Sequence, residues 1–268
     1  MEQKTACQNN GMEFDTSWDD DHVVPDIMFP DLTFLFERMK QATAQQVEAK
    51  AGERILDVGC GRAIDVAGVA TGNWQCHGLE PSDKMIRHAK SYLAEKGADV
   101  VLIRGIGEKL PFKDGAFDKV ICKGALDHFP NPEKAIEEMA RVLKPHGKAI
   151  ISIANFESLS FRLGRRLYQV IGLFYRKGKD EKRVWHVPDD HAYKFDYATL
   201  HRMVKPHMDV ERAVGVSMFF AFPWWGLVLQ RMPGRMSSGV LRGLDRMARL
   251  MPSLSDTLVF RCTPKNHK

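Results

Sequence analysis

The stretch that decides the fold is "ILDVGCGRAIDVAG", residues 55–68. It begins as an apolar run suited to a buried strand, reaches Asp57 near the end of that strand, and continues into Gly59 and Gly61. Glycine adopts positive φ without a Cβ penalty and lets another group approach the backbone closely. Two interpretations follow: a tight turn that the Asp57 side chain caps, or a loop that binds a nucleotide-like cofactor.

Around this loop, short apolar runs alternate with segments of helical periodicity. Strands are predicted at 54–58, 74–79, 100–103, 117–122, 148–154, 208–216 and 257–262. Helices are predicted at 32–50, 64–70, 82–95, 132–143 and 197–204, with further helical structure over 219–254 and a break at "KPHG", residues 144–147. Apolar strands that alternate with helices are typical of a parallel sheet covered on both faces. Such a sheet binds ligands at the carboxyl ends of its strands.

Three polar features fall at those strand ends. Asp57 lies at the end of the first core strand, Glu80 follows 23 residues later in "HGLEPSDKM", and "CKGALDHF", residues 122–129, comes after the fourth. A carboxylate at the tip of the second strand can accept both hydroxyls of a ribose. The dinucleotide fingerprint G-x-G-x-x-G would need glycine where Ile64 stands, which weakens an NAD interpretation and favours a smaller, less phosphorylated nucleoside.

An ordered set of motifs carries a resemblance to a known family. "ILDVGCG", "GLEPSDKM" and "GEKLPFKDGAFDKVICKGALDHFPNPEKAIEEMARVLKPHGKAIISI" together resemble the class I S-adenosylmethionine-dependent methyltransferases, in their small-molecule, type 11-like branch. The likeness runs from Glu53 to about Ala154, and it implies S-adenosyl-L-methionine as the cofactor. Ala63 departs from the family's third loop glycine, and Gly107 stands where alanine is usual.

The resemblance also implies a role for each matching residue. The methionine part of the cofactor would lie on the loop of Asp57, Gly59 and Gly61, and Glu80 would hold the ribose. The remaining implied cofactor contacts are Pro81 and Met85 beside the adenosine, Gly107 and Glu108 at the adenine, and Lys123 and Gly124 near the methionine amine and the sulfonium.

Four residues are candidates for work on the substrate. His128 follows the fourth strand and can relay a proton near neutral pH, although it could equally pack there or contact the cofactor. "VWHVPDDHAYKF", residues 184–195, concentrates His186, His191 and Tyr193, which predicts substrate contact as the alternative to ordinary loop packing. No ligand spacing supports a metal site, so none is expected.

The composition is that of a globular chain. Its 268 residues are 44% hydrophobic and 27% charged, which suffices to bury a core. The net charge of +5 is uneven: Glu13–Asp31 has seven acidic residues and no Lys or Arg, whereas Phe161–Arg183 has eight basic residues. Five scattered cysteines favour neither a disulfide framework nor a zinc site, and with no visible secretory signal we expect a cytoplasmic protein. The uncharged stretch Ala213–Leu229 is shorter than the ~20 residues of a membrane span.

We therefore predict an α/β fold: a Rossmann-like, doubly wound, seven-stranded sheet, mostly parallel with an antiparallel last strand, plus helical cap insertions. Residues 1–50 would form an acidic leader and a helix that belong to a lid, and residues 51–155 the cofactor-binding core. Residues 156–196 would be a basic and aromatic insertion over the active site. Residues 197–268 would complete the sheet and carry an apolar helical cap at 217–255.

The expected function is direct methyl transfer to a small molecule with an apolar body and an acidic group. Such a displacement mainly needs alignment and exclusion of water, so a general base is optional. The alternative is a non-catalytic S-adenosylmethionine-binding regulator or partner subunit with the same fold. No nucleic acid is expected as a partner. The amphipathic, basic segment 240–251 makes peripheral membrane contact through the cap an alternative to packing on its own domain. The oligomeric state stays open.

Overall fold

The computed structural model describes residues 6–9, 12–15, 18, 28–70, 72–174 and 193–265. A short hairpin, β1 (Ala6–Asn9) and β2 (Met12–Asp15), precedes α1 (Pro30–Val47). The core then runs through β3 (Arg54–Val58), α2 (Ile64–Val69), β4 (Gln75–Glu80), α3 (Asp83–Lys96), β5 (Val100–Arg104), β6 (Phe117–Lys123), α4 (Pro132–Val142) and β7 (Leu143–Ala154). The remaining elements are α5 (Leu159–Phe174), α6 (Tyr197–Val204), β8 (Met208–Val216), α7 (Trp225–Arg231), α8 (Gly234–Leu250) and β9 (Thr257–Pro264).

Seven of these strands form one sheet in the order β5-β4-β3-β6-β7-β9-β8. The pairs β4–β5, β3–β4, β3–β6 and β6–β7 are parallel, and β9 is antiparallel to both of its neighbours. The predicted fold class is thereby confirmed. The strand order reverses between β3 and β6, and the crevice at such a point is where an open α/β sheet binds its ligand.

Helices cover both faces of the sheet because alternate residues of each central strand are buried on opposite sides. Leu56 and Val58 of β3 pack in the same cluster as the buried side chains of α4 and α6. Ile55, which precedes Leu56 and faces the opposite side, packs with side chains of α1, α2 and α3. The helix α1 thus packs on one face of the sheet. That residues 1–50 belong to a lid stays a prediction, and it now concerns the residues that precede α1.

Two local expectations were wrong. The helix ends before "KPHG" as predicted, but the strand starts earlier than residue 148: β7 begins at Leu143, which pairs with Phe117, and residues 144–147 form an irregularity in β7 before Lys148 pairs with Lys119. The helical structure predicted from residue 219 begins only at Trp225. Phe219 and Ala221 have φ of 65° and 53°, which a right-handed helix excludes.

The cap formed by α7 and α8 docks closely on the edge strand β8. A Cβ at Gly215 in β8 would lie 2.2 Å from the backbone oxygen of Ala248 in α8, so only glycine allows this approach. The segment that carries the cap leaves the sheet at Val216, the end of β8, and returns at Thr257, the start of β9. These two residues pair with each other, so both ends of the segment lie at the same edge of the sheet. Within the described ranges, no helix combines the length and the hydrophobicity that a bilayer-spanning segment requires.

Candidate active site

The glycine loop after β3 is a tight turn fixed by the neighbouring strand. Gly59 and Gly61 have φ of 72° and 52°, and the N–H groups of Gly59 and Cys60 both donate to the Leu79 carbonyl, at 2.8 and 3.0 Å. A Cβ at Gly59 would lie 2.6 Å from the Cβ of Ala125, which follows β6. Packing therefore already requires this glycine, and cofactor binding has to be argued from the side chains around the loop.

Glu80 ties that loop to the end of β4. One carboxylate oxygen accepts the Gly61 N–H at 3.0 Å, and the other accepts the Ser82 N–H at 2.9 Å. The side chain is buried. A carboxylate oxygen has two acceptor sites, so a backbone contact to each oxygen does not by itself exclude a ribose hydroxyl. Glu80 thus fits the ribose role and also holds the loop in shape.

Asp57 lies buried among other acidic groups. It accepts the Val66 N–H in the first turn of α2, and burial raises its pKa well above the ordinary value, with Asp65 and Glu80 raising it further and Lys123 opposing them. The Lys123 ammonium lies 2.9 Å from the Asp65 carboxylate. Among the groups that shift the Asp57 pKa, two carboxylates thus act against one cation, a balance that favours a ligand carrying positive charge.

Glu108 anchors the connection after β5. Its carboxylate is buried, burial raises its pKa, and it accepts the N–H of Asn131 at 3.1 Å. Asn131 is the N-cap of α4. The alternative of a solvated loop carboxylate is therefore wrong, whereas the adenine contact stays a prediction.

The other predicted cofactor residues lie along the same edge. A Cβ at Gly107 would lie 2.6 Å from the ring of Phe129, so that glycine too is fixed by packing. Pro81 is half-buried, and Met85 is buried with its terminal methyl carbon 3.4 Å from the position of a Cβ at Gly61. Gly124 has φ of 60° with open space around its Cβ position.

Two of the four substrate candidates meet at the end of β6. His128 closes a single 3-10 turn, Leu126–His128. The N–H of Tyr193 donates to the Asp127 carbonyl at 3.3 Å, which places Tyr193 beside that turn. His186 and His191 lie outside the described residues.

Trp18 lies at the carboxyl ends of the same strands. Its ring lies 5.1 Å from the His128 ring between centroids, and its carbonyl accepts the hydroxyl of Ser82 at 2.7 Å. The residue therefore links the segment after β4 with the segment after β6. No group of three or more His, Cys, Asp or Glu side chains suited to a metal ion occurs in the part of the chain that the structure describes.

Sequence reasoning missed two residues of this site. Asp65, the partner of Lys123, stands second in α2, where an acidic residue is ordinarily explained by the helix dipole. Phe129 lies against both Gly59 and Gly107. The signal for Phe129 was present in "LDHF", but only the histidine of that motif was considered for chemistry.

The sheet order and the groups at its strand ends define a Rossmann-like domain with a site for a nucleoside cofactor. Residues 56–151 match the family model described as "Methyltransferase domain". As the motif resemblance predicted, this segment is a methyltransferase domain of the class I, type 11 branch, whose cofactor is S-adenosylmethionine.

Curated relatives agree with this assignment, and a solved structure shares the fold. A ubiquinone biosynthesis O-methyltransferase from Dechloromonas aromatica is 35% identical over 134 residues, which is 48% of this chain and 54% of that protein. A demethylmenaquinone methyltransferase from Bacillus mycoides is 33% identical over 141 residues, 50% of this chain and 60% of that protein. The chain thus spans between half and two thirds of these two relatives. The PH0226 protein from Pyrococcus horikoshii shares the fold with a TM-score of 0.60 and 19% identity, covering 93% of this chain and 100% of that one.

The residues present fit this cofactor. S-adenosylmethionine carries an ammonium, a sulfonium and a carboxylate, and the charged groups that act on Asp57 are the carboxylates of Asp65 and Glu80 and the ammonium of Lys123. The open space at Gly124 suits a ligand that needs bare backbone, and the carboxylate of Glu80 is an acceptor suited to hydroxyl groups.

Proposed function

We propose that this chain is an S-adenosylmethionine-dependent methyltransferase that transfers a methyl group directly to a small molecule with an apolar body. The observation that carries the proposal is the convergence of Asp57, Glu80 and Glu108 at the carboxyl ends of three neighbouring strands, β3, β4 and β5, inside the segment that matches the methyltransferase domain. All three side chains are buried, so a ligand bound at this edge would meet them away from bulk water.

In this proposal, the chain's residues hold the cofactor and exclude water. Asp57 and the loop of Gly59 and Gly61 would hold its methionine part, Glu80 its ribose and Glu108 its adenine. When bound, the cofactor supplies a methyl group made electrophilic by the sulfonium. The methyl group goes directly from the cofactor to the substrate and is never bonded to the protein. The main task of the chain is therefore to align the nucleophile of the substrate.

Two observations support a substrate with an apolar body. The two relatives described above are named a ubiquinone biosynthesis O-methyltransferase and a demethylmenaquinone methyltransferase. In this chain, Phe156 and Phe161 form a separate apolar cluster with Tyr168 and Phe220, directly after the end of β7. Aromatic walls of this kind are usual in pockets for flat apolar ligands.

The acidic group of the substrate has narrower support. Arg165 and Lys194 both pair with the carboxylate of Glu157, at 2.6 and 2.9 Å, and Arg162 lies 3.6 Å from it. The single carboxylate of Glu157 balances only one of these three cations, so the cluster keeps a net positive charge. We propose this cluster as the site for a substrate carboxylate or phosphate, together with Arg166, which forms no ion pair with a described residue.

His128 and Tyr193 are proposed to orient the acceptor. Both lie at the segment after β6, and either side chain could hold or take a proton there. Under this assignment, replacing either one slows turnover while the affinity for the cofactor product barely changes. Equal loss of cofactor affinity would instead make them part of the cofactor site.

A binding and turnover experiment tests the proposal. S-adenosylhomocysteine at ten times its Kd should raise the free energy of unfolding by about 1.4 kcal/mol, and NAD at equal concentration should not. Transfer of labelled methyl from S-adenosylmethionine to a water-soluble hydroquinone probe and to a metabolite extract then tests catalysis. Binding without transfer to any acceptor would favour the non-catalytic alternative, and absence of binding by the folded chain would refute both.

A further inference from the structure

The helix α8 divides into three lengthwise stripes, because about 3.6 residues make one turn. The first stripe is buried against β8 and α1 and consists of Ser237, Leu241, Asp245 and Ala248. Asp245 there pairs with Arg38 of α1 and with Arg249. The buried stripe covers only part of the apolar side that the sequence pattern of residues 240–251 predicts. Several large apolar side chains of α8 are therefore exposed.

The second stripe is apolar and exposed. Met236 is 57% exposed, Met247 45% and Leu250 83%, and Val240 lies on the same side. Gly239 and Gly243 lie between these residues on the helix surface, and a Cβ at either glycine would meet nothing within 4 Å. The backbone of α8 is therefore bare along this side. Contiguous exposed apolar surface of this kind marks an interaction site in a soluble fold.

The third stripe is basic and borders the second. Arg235, Arg242, Arg246 and Arg249 are exposed and follow one another at helical spacing. Arg235, Arg242 and Arg246 form no ion pair with any residue in the described ranges. Asp245 is the only acidic residue between Leu229 and Leu254, and it is buried. The surface thus pairs apolar side chains with uncompensated positive charge.

We propose that α8 binds the surface of a lipid bilayer that contains anionic headgroups. An apolar stripe beside a row of arginines is the arrangement that lies in the plane of a membrane interface, with the arginines at the headgroups and the apolar side chains at the acyl boundary. A second copy of the chain suits the surface less well. A two-fold dimer through α8 would bring two arginine rows together with no exposed carboxylate on the helix to neutralise them.

Vesicle flotation tests this proposal without reference to enzyme activity. The full chain should float with vesicles of equimolar phosphatidylcholine and phosphatidylglycerol, and should remain unbound with phosphatidylcholine alone. Binding should fall as NaCl is raised, since screening weakens attraction to the charged surface. Replacement of Arg242 and Arg246 by Gln should lower the partition coefficient about fivefold per arginine. Leu250→Glu should abolish flotation.

A matched control lies at the opposite edge of the sheet. Val101 in β5 is 54% exposed, and Val101→Glu adds the same charge far from α8, so it should leave flotation unchanged. Melting curves show that each variant folds. Failure of the wild-type chain to bind phosphatidylglycerol vesicles would overturn the proposal, as would equal loss in the Val101 control. A dimer seen in sedimentation that Leu250→Glu dissociates would assign the surface to a second copy instead.

Discussion

Glu80 offers the sharpest test of the site because one carboxylate has two separable tasks. It accepts the backbone N–H groups of Gly61 and Ser82, and in the proposed function it also accepts the ribose hydroxyls. Hydrogen bonds to a charged group contribute roughly 1.5–3 kcal/mol each. Replacement by Ala would orphan two buried donors and disturb the loop, so a loss of affinity in that variant would not show which task had failed.

Glu80→Gln keeps the side-chain shape and removes the charge. If Glu80 holds the hydroxyls, the wild-type chain should bind S-adenosylhomocysteine more tightly than its 2′-deoxy analogue by about tenfold to hundredfold, the equivalent of one charge-assisted hydrogen bond. In Glu80→Gln this preference should shrink to within a few fold. The loop contacts are common to both ligands, and they cancel in the ratio.

Isothermal titration calorimetry of the two proteins with the two ligands gives the coupling between the side chain and the hydroxyl directly. Urea denaturation of the variant, run in parallel, reports the separate cost to the loop, which we expect to be at least about 1 kcal/mol. A variant that retains the full wild-type preference for the hydroxylated ligand would refute the reasoning, and would assign the ribose to other residues.

Three further predictions concern stability. Gly59→Ala should lower the free energy of unfolding by at least about 2 kcal/mol, since φ is positive and the Cβ would lie 2.6 Å from another side-chain carbon. Gly124→Ala, with positive φ but open space, should cost only about 1 kcal/mol, and equal losses in urea denaturation would contradict the packing argument. Burial raises the pKa of Asp256 from an ordinary 3.8 to about 6, so its contribution to stability is fully present below pH 3.8 and is lost by about 3 kcal/mol as the pH rises to 6. Asp256→Asn should remove that part of the slope between those pH values, and an identical slope in both proteins would place the titration elsewhere. Lys123→Met should lower stability by about 1 kcal/mol, because the carboxylate of Asp65 loses its cation beside Asp57; an equal loss when Asp65 has already been replaced by Asn would mean that packing of the lysine stem, rather than its charge, is what matters.

Much of the core was predictable from the sequence because its signals are local. Strands buried on both faces leave continuous apolar runs such as "RILDV", and the helices between them leave caps such as Ser82, which accepts the Met85 N–H as expected. The positions of Asp57 and Glu80 followed from one topological rule, since the carboxyl ends of parallel strands share an edge. Both indeed lie at that edge, in paired strands.

The limits of prediction lie where a residue's surroundings come from distant parts of the chain. Periodicity marked one broad apolar side of α8 opposite its arginines, but the tertiary structure decided which part of that side is buried. Gly215 lets the helix dock on β8, and Arg38, more than two hundred residues away in sequence, pairs with Asp245. The same holds for Trp18, whose place beside His128 has no sequence signature.

The sequence by itself determined the strand and helix pattern, the order of the cofactor motifs and the residues at the strand ends. Those properties depend on the period of apolar residues and on glycines that no other residue can replace. The tertiary structure alone decided that Glu80 and Glu108 also hold backbone donors, that Asp65 pairs with Lys123, and that one side of α8 stays exposed. These are outcomes of long-range packing and desolvation, because the energy of a buried or exposed side chain depends on neighbours that the local sequence does not specify.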